Sequence, residues 1–169
     1  MTRVPRPIIA NATHFVTAVT SNRRAWFAEP RFAQIVVEQW KHYEQAYDFQ
    51  IDCYCVMPEH YHVVLNVGEQ RTISQILHAV HSYTVTLISR ELGRATKPKI
   101  WEGGAWDEVI RDEGMYWQKV AYTLFNPWRA GLVEHPLAPY PFSDVAEWVD
   151  REGDEFMLDL FSRYKRWME

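Results

Sequence analysis

From Ile51 to Val67 the chain is rich in β-branched, aromatic and other apolar residues, and one break at Pro58 divides the run. Proline cannot donate to a strand ladder, so it ends one strand and a turn leads into the next. The pattern predicts strands over Ile51–Met57 and Tyr61–Val67, paired as a hairpin. That hairpin carries chemistry where the turn enters its second strand, at His60-Tyr61-His62. Successive strand side chains alternate faces, so His60 and His62 point the same way. Two imidazoles side by side can hold one cation.

The elements around the hairpin follow from periodicity. Ala12 to Thr20 is rich in β-branched and aromatic residues and reads as a strand. From Pro30 to about Asp48, Phe32, Ile35, Val36, Trp40, Tyr43 and Tyr47 recur at helical spacing, with Pro30 suited to a first turn. Thr72 or Ser74 is positioned to cap a second helix that Gly93 ends, with Ile76, Leu77, Val80, Tyr83 and Leu87 as its apolar stripe and Ile88 as a further candidate for it. Ala105 to Arg111 reads as a short fourth strand. Asp112 then caps a helix that Pro127 stops at Asn126. Tyr122 and Asn126, four apart, share a face of that helix. Two short helices fit Asp144–Asp150 and Glu155–Trp167. The order β-α-β-β-α-β is the split βαβ, or ferredoxin-like, arrangement. It predicts an α+β fold: a four-stranded antiparallel sheet with helices on one face, the other face free for a ligand, and extra helices at the C-terminal end.

At 169 residues the chain is long enough for one domain with a real core, and not comfortably for two. We expect that domain over 12–143 and an acidic helical tail over 144–169. Hydrophobic residues make up 47% of the chain, which excludes a disordered class. No apolar run approaches the roughly 20 residues of a membrane helix, and Met1–Ala10 shows no leader pattern. The expected location is cytoplasmic, with no membrane partner and both cysteines reduced. Net charge is −4, but residues 1–133 hold 14 basic and 13 acidic residues, against 4 and 9 in residues 134–169. A local basic groove therefore remains open to the main body, while a non-specific DNA coat does not.

Taken singly, each motif has ordinary readings. A His-x-His on a strand is often structural. Cys53 and Cys55 share a strand face and would give a Cys2His2 zinc set with His60 and His62, at a spacing tighter than common zinc modules. Small buried thiols are the default reading of the pair. Tyr83 and Tyr116 rival Tyr122 as reactive phenols. The stripe favours a core role for Tyr83, and Tyr116 has Val120 rather than a polar residue four positions on. For His14, His78, His81 and His135 the sequence names no clear partner, and a structural role is the ordinary reading. The acidic tail reads as a solvated helix face, or as a shield over a DNA groove whose removal after Ser143 raises cleavage.

Several segments in order resemble the single-tyrosine HUH transposases, and most closely the REP-associated tyrosine transposases. They are His14-Phe15-Val16-Thr17, Arg23-Arg24, Met57-Pro58-Glu59-His60-Tyr61-His62, Trp101, and Trp106-Asp107-Glu108-Val109-Ile110-Arg111-Asp112. Tyr122-Thr123-Leu124-Phe125-Asn126-Pro127-Trp128-Arg129-Ala130-Gly131-Leu132-Val133 and Tyr140-Pro141-Phe142-Ser143 complete the set. The resemblance implies a metal-dependent endonuclease and strand transferase acting on single-stranded, hairpin-forming repeat DNA. It implies Tyr122 as nucleophile, and His60, His62 and Asn126 as ligands of Mg2+ or Mn2+. A phenol is mostly protonated at neutral pH, so it needs activation before it attacks a phosphodiester. Attack leaves a 5′-phosphotyrosine and a free 3′-OH, and the retained bond energy allows rejoining. Arg23, Arg24, Lys97, Lys99, Arg111 and Arg129 are the expected phosphate contacts. The partner would be palindromic hairpin DNA with a single-stranded tag, met by a monomer or a homodimer. Two other readings remain: a domesticated hairpin-binding module with weak or no cleavage, and a metal-stabilised nucleic-acid-binding domain without covalent chemistry.

Overall fold

The computed structural model describes residues 11–168, so the reading of Met1–Ala10 lies outside the described residues. Four strands, β1 (Ala12–Val19), β2 (Phe49–Met57), β3 (His60–Val67) and β4 (Trp106–Val109), form one antiparallel sheet in the order β2-β3-β1-β4. This is the expected ferredoxin-like order. Met57 pairs with His60, so Pro58 and Glu59 alone make the hairpin turn.

Helices α1 (Pro30–Ala46) and α2 (Ile73–Glu91) lie on one face. Val16 and Ala18 of β1 and Tyr61, Val63, Leu65 and Val67 of β3 point into that layer and pack with Val36, Trp40, Ile76 and Val80. Thr72, not Ser74, caps α2. Its hydroxyl accepts from Gln75 N at 3.2 Å and the Gln75 side chain accepts from Thr72 N at 2.9 Å, a full capping box. The buried stripe of α2 runs through Ile76, Val80, Thr84 and Ile88. Tyr83 therefore falls outside it and is 45% exposed, not a core residue.

The second face, expected to be free, is covered over much of its area and stays open only at the histidine end. Helix α3 (Glu113–Leu124) buries Val120, Ala121 and Leu124 against Phe15, Cys53 and Val64. Then α4 (Asn126–Arg129), α5 (Val145–Glu152) and α6 (Asp154–Tyr164) follow. Trp148, Met157, Leu160 and Met168 join the same cluster, so the acidic tail contributes its apolar side to the core. Amphipathic spacing within α3 shows that one face must be buried, but not which side of the sheet receives it. Among the described residues no helix is long and apolar enough to cross a membrane.

The tail is also tied down by polar contacts. Trp148 Nε1 donates to Asp52 O at 3.1 Å, and Tyr54 N donates to Asp144 Oδ1 at 3.1 Å. Asp144 is buried, and burial pushes its carboxyl up to about 7, an effect only partly offset by the backbone N–H groups it accepts from. The unfolded carboxyl ionises near pH 4, so between about pH 4 and 7 the folded chain holds an extra proton. This contribution is fully present below pH 4 and is lost as pH rises through 7, by at most about 4 kcal/mol. Asp144→Asn keeps the acceptor and removes the ionisation. Urea denaturation should show the variant gaining roughly 2–3 kcal/mol more over wild type at about pH 8 than at about pH 5. No gain at high pH would mean that this buried carboxylate imposes no penalty.

Candidate active site

The site forms where β1, β3 and β4 meet the last turn of α3. Thr17 of β1 lies opposite His62 on one side and opposite Trp106 on the other, so Trp106, Thr17 and His62 make a row across the sheet. Alternation puts His60, His62, Phe15 and Thr17 on the α3 side. It sends Tyr61 to the opposite layer, where its ring meets Trp40 and Trp101 edge-on and its hydroxyl pairs with His81 Nε2 at 2.8 Å. His81 stacks on Trp101 at 4.1 Å. A residue with no partner discernible from sequence thus anchors the strand from behind. His14, also without a partner in the sequence reading, faces Asp107, with Nδ1 3.4 Å from Oδ2.

The ring centroids of His60 and His62 are 4.7 Å apart. His62 Nδ1 meets Thr17 Oγ1 at 2.9 Å, and His60 Nδ1 meets Glu59 Oε1 at 3.1 Å. With the proton on Nδ1 donating to each oxygen, both Nε2 atoms present a lone pair. His62 Nε2 is buried without a hydrogen-bond partner. Burial lowers the proton affinity of both rings, and that of His62 falls well below the usual histidine range because His60, Arg129 and Lys119 add to the effect. For His60 the nearby Glu59 opposes burial while Arg23 and Arg129 reinforce it. Two neutral imidazoles with free lone pairs fit a divalent cation.

Tyr122 sits beside them. Its ring lies 5.1 Å from that of His62 and 6.0 Å from that of Phe15, edge-on to both. Its hydroxyl accepts from Arg129 Nη1 at 3.1 Å. Arg129 Nε donates in turn to the carbonyl of Met168. A cavity of about 410 Å3 opens here, with Trp106, Lys119, Trp167 and Met168 among its walls. Lys119 reaches Glu108 Oε2 at 2.8 Å and lies 4.7 Å from the Phe15 ring centroid. Lys119, one turn before Tyr122, Thr17 beside His62 and Trp106 escaped the sequence reading of the site. Helical spacing marks the first, but nothing local marks a cross-strand neighbour.

The helix does not carry Tyr122 and Asn126 together as expected. It ends at Leu124; Phe125 leaves helical geometry (φ −94°, ψ 7°), and Asn126 opens α4. Asn126 is 2% exposed and its Nδ2 has no partner, and no hydrogen bond or ring contact joins it to either imidazole among the described residues. Arg23 and Arg24 lie in the exposed loop after β1. That loop is fixed by Thr20, whose N and Oγ1 both donate to Glu59 O, at 2.9 and 3.0 Å. Asn22 and Arg23 hold left-handed backbone, with φ 55° and 50°. Arg24 instead stacks on Trp26 at 4.2 Å. Lys97 donates to Thr86 at the end of α2, and Lys99 follows it in the same loop. Arg111 precedes α3, roughly 15 Å of helix from Tyr122.

The rival phenols are placed elsewhere. Tyr83 is on α2, across the sheet from the histidines. Tyr116 is half-buried and turned toward Asp52, and burial pushes its hydroxyl up. Cys55 lies opposite His62, but burial pushes both thiols well above their usual range. Among the described residues no group of three or more His, Cys, Asp or Glu side chains converges as a metal site.

A model of the IS200-like transposase family matches residues 9–109, a stretch that holds all four strands and both histidines and stops short of α3. The fold is shared with a REP-associated tyrosine transposase solved bound to a REP hairpin, at a TM-score of 0.75 and 24% identity over 90% of this chain and 87% of that one. A candidate transposase from Deinococcus radiodurans R1 superposes less closely, at a TM-score of 0.48 and 13% identity over 72% of this chain and 95% of that one. No curated protein matches the chain. The family match spans more than half of the sequence and includes the strand that bears both imidazoles: the chain belongs to the IS200-like transposase family.

Proposed function

We propose that this chain cuts and rejoins single-stranded DNA at hairpin-forming repeats, with Tyr122 as the nucleophile. The observation that carries the reading is the placement of the Tyr122 hydroxyl, on a ring packed against His62 and within hydrogen-bond distance of Arg129. The phenol oxygen forms a bond to the scissile phosphorus as the bond from phosphorus to the 3′ oxygen breaks. A 5′-phosphotyrosine and a free 3′-OH result: the phenol proton passes to water, and the departing 3′ oxygen takes one proton back from water. Attack by a 3′-OH on the same phosphorus reverses the step and joins the strands without ATP.

Each residue has a part consistent with its surroundings. His60 and His62 would hold a divalent cation through Nε2, with the Asn126 amide as a third donor. Bound there, Mg2+ or Mn2+ supplies electrostatic relief to the non-bridging oxygens of the phosphate. Arg129 offers fixed N–H donors where negative charge gathers. Arg23 has its guanidinium near enough to His60 to bias it, so it suits the phosphate backbone on that flank. Family membership and the hairpin carried by the similar structure favour hairpin DNA as the substrate.

The same geometry supports restraint by the tail. Met168 holds Arg129 by its carbonyl, and Trp167 walls the cavity, so these residues stand where DNA would lie.

Two assays test these proposals. Labelled hairpins from the gene's flanks, incubated with protein and Mn2+, should give a covalent protein–DNA band on a denaturing gel. The band should vanish with Tyr122→Phe or EDTA and fall at least about 100-fold with His60→Ala. A gel shift with no covalent band would favour the binding module. Removing residues 167–169 should raise the initial cleavage rate roughly tenfold, the scale of one charge-assisted hydrogen bond, with a cooperative thermal melt showing that the loss of Met168 from the core leaves the fold intact. An unchanged rate would exclude restraint by these residues. Truncation after Ser143 is a different experiment, since it strips Trp148, Met157 and Leu160 from the core and should unfold the protein.

A further inference from the structure

We propose that Trp106 forms a stacking subsite for one unpaired nucleobase next to the scissile phosphate. The proposal rests on the reading of Tyr122 as the attacking group and adds a recognition element to it. The first observation is the state of the indole. Seven of the eight tryptophans have a ring or cation against them: Trp26, Trp40, Trp101, Trp117, Trp128, Trp148 and Trp167. Trp106 has neither among the described residues, and at 69% it is the most exposed large apolar side chain. Leaving an indole in water forgoes about 25 cal/mol for each Å2 of apolar surface that burial would recover. Nothing in the packing of the four-residue strand β4 requires a side chain of that size at its outer end.

The second observation is where the indole stands. β4 is an edge strand, and alternation along it puts Trp106 and Glu108 toward α3 while Asp107 turns to His14. Trp106 is two strands from His62 in one row, with Thr17 between them, which is roughly 10 Å at normal strand spacing. It walls the same cavity as Tyr122. A phosphate held between Tyr122 and His62 thus has the indole as a neighbour across the same cavity. Lys119 brings a positive charge to the same cavity and Gln118 an amide able to pair with a base edge. Aromatic surface, cation and amide together suit a nucleobase better than an aliphatic or acidic ligand. An indole stacks on any base through its π face, so the subsite grips the unpaired tag rather than the paired stem.

The test uses the full chain carrying Tyr122→Phe, so that binding is read without cleavage. Hairpin oligonucleotides with a single-stranded tag carry 2-aminopurine at each unpaired position in turn. Fluorescence quenching is expected at one position beside the cleavage site. It should be lost in Trp106→Ala and kept in Trp106→Phe. Trp106→Ala should also bind the tagged hairpin about tenfold more weakly while binding a tagless hairpin as before. Equal quenching in Trp106→Ala, or no quenching at any position while the gel shift persists, overturns the subsite. Loss of affinity for tagged and tagless hairpins alike overturns it too. Failure of the underlying reading looks different: in the covalent-band assay wild type would give no adduct while Trp106-dependent quenching remained.

Discussion

The hydrogen bond between Thr17 and His62 joins the two central strands at the point where the chemistry sits. It lies within the β1–β3 register, and that register decides which way every side chain of β3 faces. A slip of one residue would send both imidazoles into the α1–α2 layer and bring Tyr61 out. Tyr61 guards against the slip from the other side, since it is fully buried and its hydroxyl is satisfied by His81. Polar pairing on one face and aromatic packing on the other therefore enforce the same alignment.

The sheet works as a partition. One layer, with α1 and α2, is built almost wholly of apolar contacts and makes the scaffold rigid. The opposite layer is mixed: α3 and the tail helices cover its lower part with Val120, Leu124, Met157 and Leu160, and the histidine end is left with the cavity. A phenol on the last turn of a helix packed at its base, but open at its tip, is held steady and still reachable. The break at Phe125 belongs to this design, because it lets Asn126 turn inward while Arg129 stays on the exposed side.

The strands, their pairing and the first two helices were legible because period and punctuation coincide: Pro58 at the hairpin turn, Thr72 with Gln75 at a helix start, Asp112 at another. The joint facing of His60 and His62 followed from alternation alone. Contacts that cross the sheet were not legible. Neither Thr17 beside His62 nor His81 behind Tyr61 carries a signal in its own segment. Tyr83 was misplaced because Thr84 fills the inward position, and helical spacing does not rank a threonine above a tyrosine. The covering of the second face was missed for a related reason: an amphipathic stripe on α3 demands a partner without naming it.

The loop after β1 holds a conflict between ease and placement. Asn22 and Arg23 both adopt a left-handed backbone conformation, which asparagine tolerates and which costs arginine of order 1–3 kcal/mol. Glycine at either position would relax the turn. Arginine at 23 adds a positive charge whose field helps to lower the proton affinity of His60, at the expense of that relaxation. A lineage that no longer needed the cation would gain stability by discarding it. Position 23 is therefore where relaxed selection should leave its earliest mark, before either histidine is touched.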